Sequence, residues 1–179
     1  RVETPVGVLT AEPEVLVDAA AAVPVDWVLV ATKAYDVAAT GAWLARLVGP
    51  QTRVAVLQNG VEQVARFAPL LPVRQIVPAV VDIPAGRTAP GRMVQRRLGS
   101  IVVPAGSDGE AFAELFATTR IEVSAVPDWV SRAWAKLCVN CAGALTTLTL
   151  RATGPVWNEA VEGLIRGLVA ECAAVGRAE

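Results

Sequence analysis

Lysine occurs only twice in this chain of 179 residues, at Lys33 and Lys136, and the other fourteen of its sixteen basic residues are arginine. The distinction is chemical, because a partly desolvated ammonium can release its proton near neutral pH and a guanidinium cannot. Histidine is absent. That removes the commonest general acid and base, the Ser-His-Asp triad and the HExxH zinc site. A proton donor in this chain would have to be another group, and the two lysines stand out, against the plainer reading that both are ordinary surface cations. Lys136 and Asn140 are four residues apart in a helical pattern and so share one face. Gly143 and Thr147 extend that face with small residues and leave room for a ligand. The opposite stripe, Val130, Trp134, Leu137, Cys141, Ala144 and Leu148, reads as core. Trp134 beside Lys136 would strip water from the ammonium and suit it to giving up a proton, whereas the bland alternative is a lysine that snorkels to the surface.

Lys33 and Asn59 each follow a β-rich run. Trp27 to Ala31 delivers Thr32 and Lys33, and Val54 to Leu57 delivers Gln58, Asn59 and Gly60. In an open parallel sheet ligands bind beyond the carboxyl ends of the strands, which is where both clusters would emerge. The Asn59 amide can donate and accept, and Gly60 permits a tight turn that lets a ligand approach the backbone. The same dipeptide is equally an ordinary turn before a helix. Three cysteines, Cys138, Cys141 and Cys172, are too few for a disulfide framework. Cys138 and Cys141 form a C-x-x-C, but in mid-helix rather than at a helix start, so small buried hydrophobes are the default reading and a redox or metal role the minor one.

The elements that must position these residues can be read from periodicity. Val6 to Leu9 reads as a short strand, Glu12 to Ala22 as a helix, Trp27 to Ala31 as a fully buried strand, Tyr35 to Val48 as a helix, Thr52 to Leu57 as another buried strand and Val61 to Leu70 as a helix. Strands alternating with helices imply a parallel sheet of the α/β class. Gln75 to Val81, Arg92 to Leu98 and Ser100 to Pro104 then read as strands joined by Gly/Pro-rich turns, an antiparallel extension. Arg87, Arg92, Arg96 and Arg97 read as a solvated strand edge in preference to an anion site. A helix over Asp108 to Thr118 and a strand over Ile121 to Val126 complete a first domain, residues 1–126. In the second, residues 127–179, Asp128 is placed to cap a long helix to about Leu150, broken by Thr153-Gly154-Pro155. A final helix from Val156 carries Trp157, Val161, Leu164, Leu168, Cys172 and Val175 as one stripe.

Composition bounds the partners. With 54% hydrophobic and 18% charged residues the chain is no disordered tail, and no apolar run approaches the ~18 residues of a membrane span. A net charge of -1 provides no field to gather nucleic acid or anionic lipid. No basic segment followed by an apolar one marks the start for export, which fits a cytoplasmic setting.

Four segments in register resemble the ketopantoate reductase (2-dehydropantoate 2-reductase) family: Asp26-Trp-Val-Leu-Val-Ala-Thr-Lys33-Ala, Leu57-Gln-Asn-Gly60, Ala89-Pro-Gly91 and Trp134-Ala-Lys-Leu-Cys-Val-Asn140. The resemblance implies an incomplete Rossmann-like parallel sheet with an antiparallel extension, followed by the start of an all-helical domain. It implies NADPH-dependent reduction of 2-dehydropantoate, or a similar small-molecule 2-oxo acid, to the 2-hydroxy acid. Lys136 matches the family's proton donor, and Asn140 and Asn59 match substrate contacts. Lys33, Asn59 and, through its backbone, Ala85 match cofactor contacts. A homodimer is compatible with the family; no metal is implied. The glycine-rich G-x-G-x-x-G turn is missing from the sequence, so the resemblance covers the family incompletely at both ends. Ala144 and Gly154 stand where the family's motif has further asparagines, which leaves open a different 2-oxo acid. A non-catalytic dimerisation or binding module, and another hydroxy-acid dehydrogenase of similar architecture, are the competing readings.

Overall fold

The protein is described by a computed structural model covering residues 1–148 and 159–179, with side chains given for 1–145 and 159–179. It folds as two units, Arg1–Pro127 and Asp128–Glu179. In the first, β1 (Val2–Thr4) and β2 (Gly7–Leu9) form a hairpin, followed by β3 (Val25–Val30), α1 (Val37–Leu47), β4 (Val48–Val56), α2 (Gln63–Phe67) and β5 (Ile76–Pro78). Next come β6 (Val80–Asp82), β7 (Ala85–Ala89), β8 (Arg92–Gln95), β9 (Ser100–Pro104), α3 (Ser107–Glu114) and β10 (Glu122–Val126). The second unit holds α4 (Trp129–Leu148) and α5 (Glu159–Ala178). No helix among the described residues is long and apolar enough to cross a membrane.

Strands β3, β4 and β5 pair in that order, all parallel. A parallel strand with cover on both faces should be continuously apolar, and the carboxyl end of β4, Val54 to Val56, is. Val54 and Val56 face a core with Val30, Leu44, Phe67, Leu71 and Ile76, while Ala55 between them belongs to a second core with Val77, Ala79, Ile101, Val103 and Phe112. The second core is closed by a sheet of order β10, β9, β6, in which β9 and β10 run parallel and β6 antiparallel. Arg53 of β4 lies 5.6 Å over the Trp27 ring and pairs with Asp108 in the first turn of α3, tying the two layers together. A four-stranded sheet of order β2, β1, β8, β7 completes the unit. The α/β class with its antiparallel extension is therefore observed.

Several elements differ from the sequence reading. No helix forms over residues 12–22; only a 3-10 turn, Ala19–Ala21, is present, capped by the Asp18 carboxylate accepting from the Ala20 N–H at 2.9 Å. Val15 and Val17 are 74% and 91% exposed. An amphipathic stretch with nothing to bury against lacks the packing that stabilises most helices in proteins. The helix expected over 61–70 contracts to α2, although Ala68 after it keeps helical backbone angles, φ -54° and ψ -32°. Strand β3 is an edge strand and is only partly buried, with Leu29 44% exposed. Strands β1 and β7 are too short to show periodicity and arise by pairing with β8. Of the four arginines, Arg87 sits on the edge strand β7, and Arg97 pairs with Asp82 at 2.6 Å.

In the second unit Asp128 directly precedes α4, its carbonyl accepts from the Arg132 N–H at 3.2 Å and its carboxylate meets the Arg132 guanidinium at 3.3 Å. The core stripe expected on α4 is rotated, since Val130 and Ala144 are exposed while Trp129 and Ala133 are buried. On α5 Leu164 and Val175 are exposed, and the half-buried positions run through Val161, Ile165, Leu168, Val169, Cys172 and Gly176. Gly176 lets the Trp134 ring lie directly against α5, where a Cβ would stand 2.7 Å from the ring. The expected end of the first helix at Leu150, the Thr153-Gly154-Pro155 break, and Val156 and Trp157 fall outside the described residues.

The fit of α3 to the sheet gives a direct test. Gly109 is buried, and a methyl there would overlap the Pro104 carbonyl oxygen and lie 3.3 Å from the Ala125 Cβ. Gly109→Ala should cost about 2 to 3 kcal/mol in urea denaturation through overpacking; wild-type stability would show that α3 does not rest on β9 and β10 in this way.

Candidate functional site

The site is built where β3 and β4 end. Val30 pairs with Val56, and the Leu57 N–H donates to the Val30 carbonyl at 2.9 Å, so the ladder continues past both strands. Thr32 and Gln58 therefore come side by side. The Gln58 side chain is buried, with 4% of the residue exposed, and its Nε2 donates to Thr32 Oγ1 at 3.0 Å and to the Lys33 carbonyl at 3.2 Å. Its Oε1 accepts from Arg66 Nη1 at 3.0 Å, and Arg66 lies 3.8 Å from the Glu62 carboxylate. Gln63, 1% exposed, donates from Nε2 to the carbonyls of Gln58 at 3.0 Å and Gly60 at 2.8 Å. Gly60 has φ +108°, a conformation that L side chains rarely adopt, and this carries the chain from Asn59 into α2.

Around this network Lys33 and Asn59 are both exposed at the rim, on neighbouring strand ends. Lys33 also caps the 3-10 turn Ala34–Asp36, its carbonyl accepting from the Asp36 N–H at 3.0 Å. It is thus the Lys33 backbone that is fixed, while the ammonium stem projects from a held point. Ala85 is positioned differently: it opens β7 opposite Gln95, exposed, in the sheet that does not carry Lys33 or Asn59. Lys136 and Asn140 are half-buried on α4, on the same face as the buried Trp129 and Ala133. The lysine face is therefore the better buried one near the start of α4, and Trp134 instead packs on Gly176 of α5.

Gln63 and Arg66 went unmarked by any motif. One signal was available: Gln63 is four residues before Phe67, so a glutamine shares a helical face with a core aromatic. A polar side chain placed on an apolar face needs bonding partners, and here the turn carbonyls are those partners.

The three cysteines also come together. Cys172 on α5 is within hydrogen-bonding reach of both Cys138 and Cys141 on α4, all half-buried. Among the described residues no group of three or more His, Cys, Asp or Glu is arranged to hold a metal ion.

The family model for ketopantoate reductase PanE/ApbA matches residues 1–108. The chain belongs to the ketopantoate reductase family. It is 57% identical over 178 residues to a 2-dehydropantoate 2-reductase of Caulobacter vibrioides, covering 99% of this chain and 61% of that protein. It is 40% identical over 156 residues to a 2-dehydropantoate 2-reductase of Mycobacterium tuberculosis, covering 87% of this chain and 53% of the relative. The crystal structure of a PanE/ApbA family ketopantoate reductase from Ralstonia eutropha JMP134 superposes with a TM-score of 0.87 at 31% identity, covering 99% of this chain and 60% of that one. The chain thus spans between about half and three fifths of the ketopantoate reductases it matches.

Thiol chemistry offers a test of the helix pair. Burial, then the hydrogen bonds with Cys138 and Cys141, push the Cys172 thiol up from 9.0 to about 12. Only thiolate is nucleophilic. At pH 8 iodoacetamide should label Cys172 at least about tenfold more slowly than free cysteine, with the rate still rising between pH 9 and pH 10, where an ordinary thiol levels off. Peptide mass spectrometry resolves the three sites, and a rate matching free cysteine would contradict this packing.

Proposed function

We propose that this chain is the portion of an NADPH-dependent 2-dehydropantoate 2-reductase that carries the proton donor and one rim of the cofactor site. The single observation that supports this most strongly is the 57% identity to the Caulobacter vibrioides enzyme along 99% of the chain. The substrate is 2-dehydropantoate or a similar 2-oxo acid, reduced at the ketone to the 2-hydroxy acid. Such an enzyme works in the cytoplasm on a soluble substrate.

The residues present suit a nicotinamide dinucleotide. The carboxyl ends of β3 and β4 offer the exposed Lys33 cation, the exposed Asn59 amide and a glycine at Gly60 that leaves the backbone approachable. NADPH, when bound, supplies hydride to the ketone carbon. Lys33 and Asn59 would hold it there, with Ala85 contributing a backbone contact. Lys136 has the central chemical role: negative charge grows on the ketone oxygen in the transition state, and an ammonium beside it both stabilises that charge and delivers the proton. Asn140, one turn further along α4, orients the substrate through an amide that does not titrate at working pH. The helix fixes the spacing of these two groups at about 6 Å between Cβ atoms.

The test requires an enzyme of its relatives' full length bearing this sequence. Lys136→Ala should lower kcat by about 100-fold or more while the Kd for NADPH, followed by its fluorescence, changes less than threefold. Asn140→Ala should chiefly raise KM for the 2-oxo acid. Unaltered turnover in the lysine variant would remove Lys136 from its role, and a normal KM in the asparagine variant would take substrate away from this face of α4. Comparing kcat/KM for 2-dehydropantoate and other branched 2-oxo acids identifies the preferred substrate. Silence of NADPH fluorescence with the unaltered enzyme would favour a non-catalytic binding module.

A further inference from the structure

The amide of Gln58 joins the end of β3 to the turn after β4, and the turn itself is stitched by the amide of Gln63. The orientation of the Gln58 amide is dictated by its partners. The Lys33 carbonyl can only accept and the Arg66 guanidinium can only donate, so a flipped amide would lose both bonds. Gln63 shows the opposite feature: its Nε2 serves two carbonyls, whereas its Oε1 is buried without a hydrogen-bond partner. An unsatisfied buried acceptor costs on the order of 1 to 3 kcal/mol. That cost is borne alongside the two bonds that Nε2 makes to the turn carbonyls, and an apolar side chain of similar volume would forfeit both.

We infer that Gln58 and Gln63 are positioning residues for the cofactor. Together they lock the backbone of Lys33 and of the Asn59-Gly60 turn in the geometry that receives the dinucleotide, without touching it. The inference rests on the reading of this strand edge as the NADPH site, and it deepens that reading by naming what sets the affinity. Removing Gln58 frees the Lys33 carbonyl and unpairs Arg66; removing Gln63 frees the carbonyls on either side of Asn59. Either change lets the two rim residues move independently, so the bound geometry has to be organised anew at each binding event. Pre-organisation of this kind acts mainly on binding of the ligand that spans both points.

In the full-length enzyme, Gln58→Leu and Gln63→Met should each raise the Kd for NADPH by tenfold or more in fluorescence titration, and raise KM for NADPH in parallel. KM for the 2-oxo acid should change less than twofold. A merely structural role would lower the melting temperature and leave that split between the two KM values absent. Gln63→Met, which deletes the unpaired oxygen together with the donor to the Gln58 and Gly60 carbonyls, should show the same split between the two KM values whatever its melting temperature. Should Gln58→Leu fail to fold, Thr32→Ala removes one of the acceptors of Gln58 at an exposed position and should still raise Kd about threefold. Folded variants that bind NADPH as tightly as the wild type overturn the inference while leaving the proposed function standing. A wild-type enzyme that neither binds NADPH nor turns over overturns the function itself.

Discussion

The register between β3 and β4 governs everything that follows in the first unit. Val30 opposite Val56 means that Thr32 and Lys33 leave the sheet beside Gln58 and Asn59. A slip of one residue would turn every side chain of β4 to the other face, exposing Ala55 to the core built for Val54 and Val56 and lifting Gln58 out of its bonds. The register is held from both ends by buried polar groups. At the amino end the Thr52 hydroxyl crosses to the Val25 carbonyl, while Gln75, just before β5, fixes the path of β4 itself through the carbonyls of Gly49 at 2.7 Å and Thr52 at 2.9 Å. At the carboxyl end Gln58 crosses to Thr32 and Lys33, and Gln63 fixes the turn after β4. Between them lie Val54, Ala55 and Val56, all fully buried, whose burial supplies the larger free energy but is nearly indifferent to where the strand ends point. The polar pairs supply the direction.

The two ends differ in one respect. Gln75 at the amino end also bonds only through its Nε2, but Gln63 at the carboxyl end keeps its partnerless oxygen fully buried. Local rules are most often violated where a site has a requirement other than stability. The asymmetry between the two ends of one strand fits that pattern, since only the carboxyl end is placed to meet a ligand in an open parallel sheet.

How much of this was legible in the sequence depended on whether the signal was local. The apolar run of β4, the helix α1 and the lysine and asparagine of α4 declare themselves through periodicity within a few residues, and the strand ends carrying Lys33 and Asn59 followed from them. The failures are long-range. Residues 12–22 have helical spacing and no partner face, so Val15 and Val17 stay exposed and the backbone does not coil. Strands β1 and β7 owe their existence to β8, ninety or so residues away from one and adjacent to the other. The meeting of Cys172 with the C-x-x-C of α4 depends on how α5 is rotated, and that rotation is set by Gly176 accommodating Trp134, a contact that no spacing on either helix predicts. Gln58 was noticed as part of a polar turn, but its hub role needs the partners Thr32, Lys33 and Arg66 in view together.

The two groups of candidate residues are held by different physical means, and this bears on how each tolerates change. Lys136 and Asn140 inherit their spacing from the helix itself. A substitution elsewhere on α4 that preserves helix leaves about 1.5 Å of rise per residue intact, so their relative position is robust and their absolute position depends on packing at Trp129 and Ala133. Lys33 and Asn59 inherit theirs from four side-chain bonds through two glutamines, any of which a single substitution can remove. A group that must deliver a proton to one oxygen gains from a rigid helical mount, since misplacement by an ångström erodes the rate steeply. The rim is held instead by a few hydrogen bonds, each worth only about 1 kcal/mol net, so its pre-organisation depends on all of them being made at once. On the proposed reading, the proton donor sits on a mount that substitutions elsewhere leave intact, and the cofactor rim on one whose order a single glutamine substitution can undo.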